Sequence, residues 1–410
     1  MKINNGQYEI DGIRVTDLVE KYGSPLYIYD AATISRQYKR LSDAFGNTRM
    51  RIHYACKALN NINIMRHLRK LGAGLDAVSI QEIHLGLKAG FTPKDIMFTP
   101  SCIDFDEYDE AIKIGVHVSI DNLSILEKVG AKYGSSVPAS IRIRPNIMGG
   151  GHLKYSIGHV HSKFGLSIDM LPDVRRIVDQ YGMKIDGLHQ HTGSDILDMD
   201  VFLQVAEVMF QAAEYFPDLQ FIDFGGGFKV AYKPEDHTTD VELLGSLLSQ
   251  RFQDFCKKYG RDLSLKFEPG KFMVSQAGYL AAKVNVVKPT ANVVFAGINT
   301  GLNHLIRPMY YDAYHHIVNI SNPEGTPHTY TVVGYICETD NFAKDREIAE
   351  ISEGDILVFH NAGAYGMTMA SNYNARPRPA EVMIYEGKDY LIRQRETVDD
   401  LLKNQIILDL

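Results

Sequence analysis

The chain has 410 residues, 45% of them apolar and 23% charged, which excludes a disordered, collagen-like or coiled-coil protein and allows two or three domains. Lys plus Arg total 43 against 50 Asp plus Glu, a net charge of −7 that leaves no electrostatic footprint for nucleic acid. Four scattered cysteines, Cys56, Cys102, Cys256 and Cys337, form no CxxC pair or Cys/His cluster, so neither a disulfide framework nor a metal site is expected. The N-terminus lacks an apolar signal core and no stretch reaches membrane-span length. A soluble cytoplasmic protein is the expectation.

Gln7–Val15 and Pro25–Tyr29 read as strands that join a sheet later in the chain. A helix over Ala31–Phe45 leads into Arg51–Lys57, followed by candidate strands Gly74–Ser79, Ile96–Pro100, His117–Asp121, Ser140–Pro145, Ile185–His191, Phe221–Gly225 and Leu263–Glu268. Helical patterns such as Ile62–Leu71 and Ile80–Ala89 separate them, and Gly72, Gly90, Gly115 and Gly260 mark helix stops. Eight strand-helix alternations in roughly 240 residues fit a closed (β/α)8 barrel, an α/β fold, better than an open sheet. Beyond Lys271 the runs Tyr279–Val287, Val293–Ile298, Tyr330–Ile336 and Asp355–His360 predict an all-β domain. The division expected is a barrel over 30–272 and a β-domain over 273–410, completed by 1–29.

In such barrels functional side chains gather where strands end. Lys57 ends the first strand, Asp76 lies in the second, His191 and Ser194 follow the sixth, Gly225, Gly226 and Gly227 follow the seventh, and Glu268 ends the eighth. A desolvated Lys57 amine could form a Schiff base, or the lysine could simply reach solvent. The triple glycine bares backbone N–H groups that could cradle phosphate, with Gly193-Ser194 converging on the same anion; alone it is also a common tight turn. His189 and His191 point the same way along their strand; one reads as a hydrogen-bonded core residue, and an imidazole flat on a ring cofactor is the other reading. Glu268 needs a cation, either a protonated pyridine nitrogen or an arginine such as Arg142 or Arg144. Arg307 could grip a carboxylate or sit in a structural ion pair, Tyr365 could reach a phosphate or pack, and Cys337 could be a buried hydrophobe.

Taken together, His53-Tyr-Ala-Cys-Lys57, His189-Gln-His-Thr-Gly-Ser194, Asp223-Phe-Gly-Gly-Gly-Phe228, Glu268-Pro-Gly-Lys271, Cys337-Glu338 and Gly363-Ala-Tyr-Gly366 resemble the fold type III, pyridoxal-phosphate-dependent decarboxylases over nearly the whole chain. The resemblance implies that Lys57 carries the cofactor, pyridoxal 5'-phosphate (PLP), with Asp76 nearby. His191 would stack on its ring, Glu268 would bind its nitrogen, Ser194, Gly225 to Gly227 and Tyr365 would hold its phosphate, and Gly270 and Lys271 would also contribute to the cofactor site. It also implies that Cys337 reprotonates the product, reaching in with Glu338 from the second subunit of a homodimer. Arg307-Pro-Met-Tyr-Tyr311 is similar to the diaminopimelate-cleaving branch, in which Arg307 and Tyr311 hold a distal carboxylate, Glu338 meets the distal amine, and Lys271 and Tyr365 contribute to the substrate site. The implied reaction is decarboxylation of meso-2,6-diaminopimelate to L-lysine, the last step of lysine biosynthesis. A decarboxylase of another amino acid, a polyamine precursor or a carrier-bound one, and a silent PLP-binding homologue are the alternatives. Lys271 stands where the family usually has arginine, a point charge in place of a two-pronged fork. The Gly- and His-rich loop Met148–His161 is expected to close over substrate.

Overall fold

The computed structural model describes residues 1–46, 48–149, 158–159 and 161–410. The expected lid, Met148–His161, falls largely outside them. The chain divides into two compact units, one of residues 35–231 and 237–273, the other of 1–34, 232–236 and 274–410.

In the first unit eight parallel strands run in chain order: β1 (Met50–Ala55), β2 (Gly74–Ala77), β3 (Ile96–Phe98), β4 (His117–Ile120), β5 (Pro138–Arg144), β6 (Lys184–His189), β7 (Phe221–Asp223) and β8 (Ser264–Phe267). Each pairs with the next, and β8 returns to β1 with Leu265 opposite Met50, so the sheet is a closed barrel. A short strand, Leu166–Ser167, adds to the end of β5. Strands enclosed on both faces read as continuous apolar runs, and β2 and β3 are buried at every residue.

The intervening helices begin on side chains that accept an orphan amide: Asn61, Ser79, Asp104, Asn122, Asp198 and Asp240. Gly90, Gly115 and Gly260 close theirs in the left-handed conformation, as expected. The strands stop one or two residues earlier than their apolar runs suggest. Lys57 therefore lies on a 3-10 turn, Cys56–Ala58, and the glycines and Glu268 lie on the loops beyond β7 and β8.

The second unit is sheet-rich. Its main sheet runs in the order Asn341–Ala349, Pro327–Val333, Val294–Ile298, Gly278–Pro289, Leu26–Asp30, Ala380–Tyr385 and Lys388–Arg393. Ile356–Phe359 pairs with both Gly278–Pro289 and Ile317–Asn319. Of the two N-terminal runs, only Leu26–Asp30 joins this sheet. Gln7–Val15 does not: Gln7–Ile10 and Ile13–Arg14 form a separate three-stranded sheet with Lys2–Asn4, and Val15 opens a helix. The cause is local, since Asn5-Gly6 and Asp11-Gly12 all adopt positive φ, the geometry of tight hairpin turns. The segment still packs on the main sheet through Ile10, Val15 and Leu18 against Leu26, Ile28, Val358 and Val382.

Candidate active site

The polar residues of the barrel meet at the C-terminal ends of its strands. Lys57 reaches an Nζ to Asp76 Oδ2 distance of 3.7 Å, its side chain 36% exposed and that of Asp76 fully buried. Thr99 Oγ1, just past β3, donates to Asp76 Oδ1 (2.5 Å), and Arg142 donates to the Thr99 carbonyl (3.3 Å). Gly270 allows the loop after β8 to press on the Lys57 turn, because a Cβ there would lie 3.0 Å from Ala58 Cβ and 3.1 Å from Ala55 O.

Inside this rim His189 bridges Ser119 Oγ (3.0 Å, through Nδ1) and Glu268 Oε2 (3.1 Å, through Nε2). Burial first, then the charge of Arg142, drives the His189 pKa down to about 3, so the imidazole is neutral and its N–H is free to donate to the carboxyl group. Burial, then Asp76, pushes Glu268 well above the usual carboxylate range, with Lys57 and Arg142 opposing. Its Oε1 is buried and, among the described residues, has no hydrogen-bond partner. A carboxyl group in that position is short of a cation or donor, and a protonated ring nitrogen fits the need.

Asp223 accepts from the Gly225 amide (2.9 Å) while its Oδ2 has no partner. Burial and then Glu268 raise its pKa to about 8. A carboxyl whose pKa is higher folded than unfolded binds its proton more tightly in the native state. Cofactor-free protein is therefore expected to lose stability as pH rises from about 4 through about 8, and Asp223→Asn to flatten that slope. Denaturation midpoints across this range check it; parallel profiles for the two proteins would refute it.

Three loops converge at the mouth. The Gly226 amide donates to His191 Nδ1 (3.2 Å), which requires that nitrogen to be unprotonated; burial, then Lys57, holds the His191 pKa well below its ordinary value. The Ile196 amide donates to Gly227 O (2.9 Å), and the Glu268 amide donates to Gly225 O (2.7 Å). A Cβ on Gly227, at φ 110°, would lie 2.5 Å from Gly193 O, and one on Gly226 would lie 2.6 Å from Glu268 O. The glycines thus permit loop-on-loop packing that brings the half-buried Ser194 and the bared backbone into one neighbourhood. Lys271 is 8% exposed, and its ammonium lies 2.7 Å from Asp195 Oδ2.

The remaining expected residues belong to the sheet-rich unit. Arg307, on the short helix Arg307–Tyr311, is 6% exposed, and its guanidinium carbon lies 5.6 Å from the ring centroids of Tyr232 and Tyr311 and 5.9 Å from that of Tyr365. Among the described residues its Nε has no hydrogen-bond partner. Tyr365 is held at φ 57°, an uncommon conformation for a residue other than glycine.

Cys337 and Glu338 form a separate cluster and are exposed. Asn374 Nδ2 donates to Cys337 Sγ (3.0 Å), Tyr373 Oη lies 3.5 Å from the same sulfur, and Tyr373 donates to Glu338 (2.8 Å). The Tyr373 hydroxyl and the Asn374 amide lower the thiol pKa. Sequence reasoning missed Asp195, Tyr232, Tyr373 and Asn374. Asp195 alone carried a readable signal, as an acid adjoining Ser194 with an unmatched lysine elsewhere in the motif set.

Residues 31–275 match the family described as pyridoxal-dependent decarboxylase, pyridoxal binding domain. The diaminopimelate decarboxylase of Methanothermobacter thermautotrophicus is 38% identical, with 98% of this chain and 96% of that protein covered. That of Pseudomonas aeruginosa is 33% identical, with 97% and 96% covered. Among solved structures, diaminopimelate decarboxylase from M. jannaschii in complex with L-lysine superposes with a TM-score of 0.92 at 31% identity, covering 99% of this chain and 98% of that one. Among the described residues no helix is long and apolar enough to cross a membrane. By the match over residues 31–275 and the near full-length likeness to these relatives, the chain belongs to the diaminopimelate decarboxylases of the pyridoxal-dependent decarboxylase family.

Proposed function

We propose that the protein decarboxylates meso-2,6-diaminopimelate to L-lysine and CO2 with PLP, as a cytoplasmic homodimer at the last step of lysine biosynthesis. The observation that carries the substrate assignment is Arg307, a buried guanidinium with an unpartnered Nε among three tyrosine rings, which suits a planar carboxylate. The cofactor assignment is supported by the unpartnered Oε1 of Glu268 and by the loop glycines. When bound, PLP supplies an aldehyde that captures amines and a ring that accepts the electron pair left by departing CO2.

The residues divide the work. Lys57 offers the amine that attaches the cofactor, with Asp76 beside it. Glu268, oriented by His189, would hold a proton at the ring nitrogen, and neutral His191 would stack on the ring. Ser194, Gly225, Gly226, Gly227 and Tyr365 would hold phosphate, with Gly270 and Lys271 also lining the cofactor site. Arg307 and Tyr311 take the distal carboxylate and Glu338 the distal amine. Cys337 delivers a proton to the carbon that has lost CO2, acting with Glu338 from the second subunit; their exposure in a single protomer supports this reading. The functional division follows the boundaries 30–272 and 273–410 with 1–29, and the free cysteines suit a reducing compartment.

CO2 release from meso-diaminopimelate by the purified protein tests the proposal directly. Arg307→Ala is expected to raise KM for that substrate by about a hundredfold, the scale of losing a desolvated charge pair. No turnover, with turnover of another amino acid, would reject the substrate.

A further inference from the structure

The pairing of Lys271 with Asp195 explains how a lysine can serve where a guanidinium fork would orient itself. Lysine presents a compact charge on a flexible four-carbon stem, so its direction must be imposed by a partner. Asp195 is such a partner: Oδ2 lies 2.7 Å from Nζ, the two side chains are 17% and 8% exposed, and Oδ1 is buried with no hydrogen-bond partner among the described residues. Asp195 directly follows Ser194 and sits at φ 57°, a left-handed conformation that aspartate tolerates better than most residues.

The neighbouring chain is fixed on both sides of the pair. The Ile196 amide donates to Gly227 O, and Thr239 Oγ1 donates to Ile196 O (2.7 Å) while accepting from the Lys229 amide (2.7 Å). Asp195 thus projects from a segment already locked to the glycine loop. Its carboxylate holds the Lys271 ammonium against that segment.

We propose that Asp195 is a positioning residue of the phosphate site, holding the Lys271 ammonium in the orientation that meets the cofactor phosphate. The inference rests on the PLP reading above. It makes a prediction of unexpected sign. The pair has no net charge, so Coulomb's law alone says that removing the carboxylate should strengthen phosphate binding. If direction is what Asp195 contributes, removing it weakens binding.

Cofactor-stripped protein titrated with PLP and with pyridoxal, which lacks the phosphate, separates these cases through absorbance. Asp195→Asn is expected to weaken PLP binding about tenfold while leaving pyridoxal within about twofold. In a Lys271→Met background the Asn substitution should add nothing further, because the group it orients is gone. Lys271→Arg should restore PLP affinity to Asp195→Asn, a fork needing less guidance. Tighter PLP binding by Asp195→Asn, or equal weakening of both aldehydes, overturns the inference. A wild-type protein that binds neither aldehyde overturns the cofactor reading itself, and this inference with it.

Discussion

Lys57→Ala is expected to lower turnover by about three orders of magnitude or more, the scale of removing a covalent nucleophile. Borohydride treatment followed by mass spectrometry should find a cofactor adduct at position 57 in the wild type and none in the variant. The expectation rests on how the amine is held. β1 ends in a single 3-10 turn, Tyr54 donates to the Leu59 carbonyl across it (2.9 Å), and Gly270 lets the β8 loop pack against it. The lysine of β8 is committed elsewhere, since Lys266 Nζ lies 3.4 Å from the centroid of the Phe221 ring and 3.5 Å from Met97 Sδ. An adduct that persisted on Lys266 in the variant would sink the assignment.

Cys337→Ala should behave differently. Loss of a general acid lowers turnover by about 10²–10⁴, while the absorbance of bound cofactor is retained. The pH profile carries a second expectation. The Tyr373 hydroxyl first, and then the hydrogen bond that Asn374 donates to Sγ, favour the thiolate and lower the thiol pKa. Asn374→Ala removes that donor, raises the pKa and keeps the acid protonated to higher pH. The alkaline limb of kcat should therefore move upward, and a limb that stays in place would show that the thiol is not the titrating acid.

These residues differ in how far the sequence reveals them. Lys57, Asp76 and Glu268 are legible because apolar barrel runs end in polar residues, and in a closed barrel those ends share one face. The runs overshoot the strands by one or two residues because burial continues after the hydrogen-bond ladder stops, as at Cys56 and Glu268. Gln7–Val15 was misread for a different reason: alternation marks a strand but not its partner, and the turn dipeptides Asn5-Gly6 and Asp11-Gly12 were the signal for local pairing. Contacts between distant loops leave no periodic trace. Asn374 and Cys337 are 37 residues apart and Lys271 and Asp195 are 76 apart, so the sequence hints at Asp195 as a candidate while the pairings themselves come from the three-dimensional structure.

Leu26–Asp30 lies between Gly278–Pro289 and Ala380–Tyr385, buried at all five positions. During synthesis both flanking partners emerge long after it does. At ribosomal speeds of about 5–20 residues per second, the wait for Ala380–Tyr385 lasts roughly 20–70 s. A nascent polypeptide meanwhile carries an apolar, five-residue β-former with its ladder groups unmatched, the kind of segment that recruits chaperones or neighbouring chains. Premature termination upstream of Ala380 would make that vulnerability permanent, leaving a product prone to aggregation even where its barrel portion had already folded.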